Sequence, residues 1–76
     1  MTKQRNELEE RRLRAAIGVA RAEITEMEGV IGRLRDAKVT GQVVTYRMAA
    51  LKMTRRDLRV VRRRLRKLRR ALRKVT

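Results

Sequence analysis

Basic side chains recur through the second half of this sequence at a spacing that places many of them on one outer face of a helix. From Gln42 to Thr76 there are 14 basic residues and one acid, Asp57, which gives a net charge of +13, whereas residues 1–41 hold 9 basic and 7 acidic residues, a net charge of +2. Cations stacked at this density on a helix repel one another unless something neutralises them. We therefore infer a polyanionic partner, with nucleic acid as the first candidate and an anionic membrane as the second.

The predominance of arginine suits an RNA partner, and a genome rich in G and C would give the same bias. Across the whole chain arginine outnumbers lysine 18 to 5, and guanidinium groups bind phosphate oxygens two at a time and stack on unpaired bases. The chain has one aromatic residue, Tyr46, so the stacking platforms of single-strand binders are missing and a folded RNA backbone is the expected target. A merely solvated charged face is the alternative. If Leu51 opens a heptad, the outward positions are Lys52, Arg56, Arg59, Arg63, Arg66, Lys67, Arg70, Arg73 and Lys74, and the flanking ones are Arg55, Arg62, Arg64 and Arg69.

The sequence offers little for catalysis. It has no His, Cys or Ser and no glycine-rich phosphate loop, so the usual nucleophiles, metal ligands and nucleotide cradles are absent. The acids of the first half, Glu7, Glu9, Glu10, Glu23, Glu26 and Glu28, lie near basic neighbours, and helix solubility explains them better than acid–base chemistry. We expect no enzyme, no metal, no cofactor and no small-molecule substrate.

Two apolar stripes of helical period predict the elements that carry these charges. The first runs Leu13, Ile17, Ala20, Ile24, Met27, Ile31, Leu34, and the second runs Leu51, Thr54, Leu58, Val61, Leu65, Leu68, Leu72, Val75, both with alternating steps of 3 and 4. The predicted fold is all-α: residues 1–76 form a single hairpin of two long antiparallel helices, coiled-coil-like. Helix 1 is predicted at about 7–38 with Asn6 as its cap, a loop at 39–45 around Gly41, and helix 2 at about 46–74 with Thr45 as its cap.

Chain length and hydropathy limit the size of the core and the possible cellular location of the protein. A chain of 76 residues without cysteine buries a small core and is expected to rely on a partner. No apolar run approaches the roughly 20 residues of a spanning helix, and the first residues resemble neither a signal peptide nor a mitochondrial presequence. We expect a cytoplasmic or nuclear protein that does not span a membrane, with the cytoplasm as the first choice.

The segment between the stripes resembles a known family. Leu34-Arg35 followed by Ala37-Lys38-Val39-Thr40-Gly41 and Gln42 is similar to the inter-helix segment of the large-subunit ribosomal protein twenty-nine family, numbered thirty-five in eukaryotic cytosol. Asp36 departs from the apolar or aromatic residue usual there. The resemblance covers roughly Ile24 to Val61, and downstream it rests on Leu51-Lys52-Met53, Arg55-Arg56-Asp57-Leu58 and Val61.

The resemblance implies a structural constituent of the large ribosomal subunit. Such a hairpin lies on ribosomal RNA near the polypeptide exit tunnel, beside large-subunit protein twenty-three, where targeting and chaperone factors dock. It would place Arg35, Lys38, Thr40 and Gly41 at or near an RNA-facing turn, with Lys52, Arg55 and Arg56 on phosphates. Two further hypotheses stay open, a non-ribosomal basic coiled coil that binds DNA or RNA non-specifically and a membrane-active amphipathic helix. The full set of candidate RNA-binding residues is Arg35, Lys38, Thr40, Gly41, Gln42, Arg47, Lys52, Arg55, Arg56, Arg59, Arg62, Arg63, Arg66, Lys67, Arg70, Arg73 and Lys74.

Overall fold

Two long helices make up the described part of the chain. A computed structural model describes residues 2–36 and 42–76, with side chains from 6–36 and 44–76. Helix α1 spans Thr2–Asp36 and helix α2 spans Gln42–Val75, and the two pack against each other. Glu28 of α1 contacts Arg62 of α2, whereas the earlier Glu23 contacts the later Arg64. The helices are therefore antiparallel, and the predicted all-α helical hairpin is confirmed.

The core lies along the two apolar stripes. Every member of both stripes is buried or half-buried, because residues three and four apart share one face of a helix. The central cluster is Ile17 and Ala20 of α1 with Val61 and Leu65 of α2. The polar member of the second stripe, Thr54, donates its hydroxyl to the Ala50 carbonyl oxygen at 2.8 Å, which satisfies that group in its half-buried position. Ile24, Met27, Leu68 and Leu72 pack against the central cluster.

This core is small. Ala20 is 1% exposed, but among the described residues no large side chain is completely buried. Complete burial of one Leu, Ile or Val side chain contributes roughly 1.5–3 kcal/mol to stability. Most residues of the two stripes are only half-buried, so each contributes a part of that energy. A hairpin of this kind has little stability to set against the mutual repulsion of its cations.

The two helices are staggered along the long axis. Ile17 and Leu72 line the same groove between the helices, so the end of α2 lies level with the region of Leu13. The first turns of α1 extend past that level, and Leu8 within them is 50% exposed. A helix of 35 residues is about 52 Å long at 1.5 Å per residue, whereas the molecule measures 63 Å along its principal axis. The difference agrees with an offset of a few turns.

The helix boundaries differ from those predicted. α1 begins at Thr2 instead of residue 7, so Asn6 lies inside the helix and does not cap it. Residues 3–5 are Lys, Gln and Arg, which are good helix formers, and adding a residue to an existing helix costs far less than starting one. α1 ends at Asp36 and α2 at Val75, within two residues of the predicted ends.

The start of α2 is a second correction. The predicted loop at 39–45 is helical from Gln42 onward, so Thr45 lies within α2 and is not its cap. The β-branched residues that suggested a loop lower helix propensity by less than about 0.7 kcal/mol each, and extension of the long helix overrides that preference. The predicted turn at Gly41 lies outside the described residues, as do Lys38, Val39 and Thr40.

The glycines of α1 do not mark a contact within the hairpin. A methyl group added at Gly18 or Gly32 would meet nothing within 4 Å, and one added at Gly29 would meet only the end of the Arg33 side chain, at 3.7 Å. Neither helix backbone therefore requires a glycine at these positions, and each weakens α1 by about 0.5–1 kcal/mol relative to Ala.

Candidate nucleic-acid interface

The basic residues of α2 form one exposed surface along the helix. Because Leu58, Val61 and Leu65 face α1, positions on the other sides of α2 face solvent. From Lys52 to Lys74 this surface extends about 33 Å at 1.5 Å per residue. We call this surface the basic face. It consists of exposed residues only, namely Lys52, Arg55, Arg56, Arg59, Arg62, Arg63, Arg66, Lys67, Arg70, Arg73 and Lys74.

Few of these cations have an acidic partner. Among the described residues, two ion pairs join α2 to α1: Arg62 Nη2 lies 3.3 Å from Glu28 Oε1, and Arg64 Nη1 lies 3.9 Å from Glu23 Oε2. All four side chains are more than a third exposed, so each pair contributes about 1 kcal/mol or less. Arg64 is not a member of the basic face, and the members of that face other than Arg62 have no acidic partner in the described part of the chain. The geometry leaves their guanidinium and ammonium groups available to an external anion.

The first half of α2 carries a groove that combines cations with an apolar floor. The groove has a volume of about 790 Å³, within the range of pockets that hold small organic groups. Thr45, Met48, Ala49, Leu51 and Leu58 supply its less polar lining, and Lys52, Arg55, Arg59 and Arg62 supply the cations. Such a combination suits a sugar of a polynucleotide backbone on the floor with its phosphate on the rim.

The other predicted RNA-binding residues are not all on the basic face. Arg35 is exposed near the end of α1, where its Nε lies 3.6 Å from Oδ1 of Asp36. Arg47 is half-buried with its Nε atom inaccessible to solvent, and its helical phase matches that of the inward stripe, so it does not join the exposed cations. Gln42 is the first residue of α2, and its side chain lies outside the described set together with Lys38, Thr40 and Gly41.

Sequence reasoning missed the basic residues of α1 that lie beside the basic face. Arg14 and Arg21 line a groove between the helices together with Arg69 of α2. A signal was present in the sequence, because Arg14 and Arg21 are seven residues apart and therefore lie on one side of α1. The total charge of the first half is near neutral, so its basic residues were not considered as a binding surface.

The described residues give no support to two other kinds of site. They hold no group of three or more His, Cys, Asp or Glu side chains placed to bind a metal ion. In the same residues no helix is long and apolar enough to cross a membrane. The middle of the apolar face of α2 is occupied, since Leu58, Val61 and Leu65 are each more than 90% buried. Insertion of that face into a lipid surface would require the hairpin to open.

The residues that carry the ribosomal resemblance lie at the end of α1 and in the first half of α2. Leu34 and Leu51 are half-buried members of the two stripes, and the string between them is partly outside the described residues. No protein-family model, curated protein or solved structure matches this chain. The resemblance therefore stays an interpretation of the sequence, and the basic face is a separate observation from the structure.

Proposed function

We propose that this protein binds RNA through the basic face of α2. The observation that carries the proposal is a row of exposed cations about 33 Å long, almost free of acidic partners among the described residues. These cations lie on a helix whose central apolar residues, Val61 and Leu65, pack against α1. A polynucleotide backbone offers a continuous row of phosphate anions, and each contact with a cation releases condensed counterions. The role is structural: the hairpin anchors to RNA and catalyses nothing.

The more specific proposal is that the RNA belongs to the large ribosomal subunit. It is supported by the segment from Leu34 to Gln42 and by the combination of that segment with a polycationic second helix. On this proposal the hairpin lies near the polypeptide exit tunnel beside large-subunit protein twenty-three, within reach of targeting or chaperone factors.

Sedimentation tests the ribosomal proposal. A tagged chain expressed in cells is expected to sediment with large subunits and to stay there at physiological salt. Recovery only in free fractions would overturn the ribosomal assignment. A variant with Arg63, Arg66 and Arg70 changed to Gln controls for the basic face, since it is expected to leave the subunit at lower salt than the unmodified chain.

A non-ribosomal coiled coil that binds DNA or RNA non-specifically is the second candidate. It is favoured by one feature of the site: the exposed donors are almost all Lys and Arg, which bind phosphate regardless of base sequence. Crosslinking in cells followed by separate digestion with RNase and DNase distinguishes the two. Ribosomal RNA as the main crosslinked species supports the first candidate, and mostly DNA supports the second.

A further inference from the structure

The seam between the helices carries a second cluster of arginines, distinct from the outer part of the basic face. Arg14 and Arg21 of α1 and Arg69 of α2 surround a groove of about 230 Å³, whose remaining lining is Ile17, Gly18 and Leu72. This volume is below the roughly 300 Å³ of pockets for whole small molecules. It is suited to one charged group with a small apolar part.

The three arginines differ in how far they are engaged. Arg14 donates from Nε and Nη2 to Oε1 of Glu10, at 3.0 and 2.8 Å. Arg21 and Arg69 have no hydrogen bond or ion pair from their side chains within the described residues. Two unengaged guanidinium groups from different helices therefore lie beside one groove, and their mutual repulsion is relieved when an anion enters.

The floor of the groove fits the sugar part of a polynucleotide. Ile17 and Leu72 provide apolar contact, and Gly18 contributes bare backbone, with nothing within 4 Å of the position that a side chain would take. A sugar–phosphate unit presents an anionic dioxo group, which suits a guanidinium fork, next to a less polar ring. The lining provides a place for each part.

We infer that a phosphodiester of the bound polynucleotide occupies this seam groove, held by Arg21 of α1 and Arg69 of α2. This inference rests on the proposed function and extends it, because the polynucleotide then contacts both helices and not α2 alone. The path of its backbone runs over the side of the hairpin that carries Arg62, Arg69 and Arg73. Binding at the seam also ties the helices together, so that the complex resists opening more than the free hairpin does.

A steric variant with a matched control tests the groove without changing charge. Gly18→Leu places a side chain over the groove, whereas Gly29→Leu makes the same change on α1 away from it, where a side chain meets only the end of Arg33. Both variants replace a helix-weakening residue by a good helix former, so both are expected to fold at least as well as the original chain. Binding to a fluorescein-labelled RNA hairpin is expected to weaken about tenfold for Gly18→Leu and less than twofold for Gly29→Leu.

A charge variant tests the two arginines. The double change Arg21→Gln with Arg69→Gln is compared with Arg11→Gln with Arg33→Gln, which removes the same charge from exposed positions of α1 outside the groove. The seam variant is expected to lower the slope of log affinity against log salt by roughly 2, about 1 for each phosphate contact, and the control by less than half a unit.

The outcomes separate the two proposals. If the unmodified chain binds the RNA hairpin but both seam variants bind like their controls, the seam inference is overturned and the proposed function stands. If the unmodified chain does not bind RNA at physiological salt, both are overturned. Loss of binding by the seam variants, with helix content by circular dichroism equal to that of the controls, supports the inference.

Discussion

Arg62 of α2 donates from Nη2 to Oε1 of Glu28 of α1, across the seam between the helices, at 3.3 Å. Both side chains remain about half exposed, at 54% and 53%. Exposure at this level means that solvent and salt screen the pair, so the pair adds little to the stability of the hairpin. It also withholds one guanidinium of the basic face from an external phosphate.

Removal of that acid is expected to strengthen RNA binding. Glu28→Gln frees Arg62 and costs only a few tenths of a kcal/mol in the free energy of unfolding, because the pair is screened. The matched control is Glu26→Gln, which changes the net charge equally at an exposed acid without a recorded partner in the described residues. Fluorescence anisotropy with an RNA hairpin at 150 mM salt is expected to show a larger gain in affinity for Glu28→Gln than for Glu26→Gln. Equal gains would mean that Arg62 does not contact the RNA.

Val60 and Val61 provide a matched pair for the core. Val61 is 5% exposed and packs with Ile17, Ala20 and Leu65, whereas Val60 is 52% exposed. Val61→Ala is expected to lower the free energy of unfolding by about 1.5–2.5 kcal/mol through lost burial and a small cavity. Val60→Ala is expected to change it by less than about 0.5 kcal/mol. Urea titration followed by circular dichroism in sulfate measures both, and a reversed order would contradict the assigned face of α2.

Replacement of a glycine in α1 by alanine is expected to stabilise the hairpin. The methyl group of Gly29→Ala meets only the end of the Arg33 side chain, and the methyl group of Gly32→Ala meets nothing within 4 Å. Each is expected to raise the free energy of unfolding by about 0.5–1 kcal/mol, since Ala has the higher helix propensity and leaves less entropy to lose. Thermal unfolding of the single and double variants checks this. A fall in stability would indicate that another backbone, from a second molecule, lies against these positions.

The free chain is expected to be poorly ordered at low salt. The segment from Arg59 to Lys74 lacks internal neutralisation, so its cations oppose the helix until anions screen them. Circular dichroism is expected to show an increase in helix signal when sulfate or RNA is added. A full helix signal that does not depend on salt would contradict the role given to charge repulsion.

Periodicity predicted the parts of this fold that depend on facing apolar surfaces. The stripes from Leu13 to Leu34 and from Leu51 to Val75 face inward as predicted. Residues at this spacing share one side of a helix, so all of them can be buried together only when that side faces the other helix. Local signals were weaker guides: Asn6 and Thr45 are good capping residues, yet both lie inside helices. The energies of caps and β-branched residues are about 1 kcal/mol, which the extension of a long helix exceeds.

The composition of the candidate site was predictable in α2 and not across the seam. Charge and phase alone placed Arg59, Arg63 and Arg66 on the outside, where the structure has them. The position of Arg21 beside Arg69 depends on the stagger between the helices, and a sequence does not state which residue of one helix lies level with which residue of the other. Arg47 shows the converse, a basic residue whose helical phase turns it inward.

A salt titration of RNA binding tests the role of the basic face most directly. The triple variant Arg63→Gln, Arg66→Gln and Arg70→Gln is compared with Arg11→Gln, Arg12→Gln and Arg33→Gln, which removes equal charge from exposed positions of α1. Binding through the basic face predicts that the α2 variant lowers the slope of log affinity against log salt by roughly 3, about 1 for each lost phosphate contact, and that the α1 variant lowers it by less than 1. Equal slopes for the two variants would show that net charge alone draws the RNA, and would contradict binding through the basic face of α2.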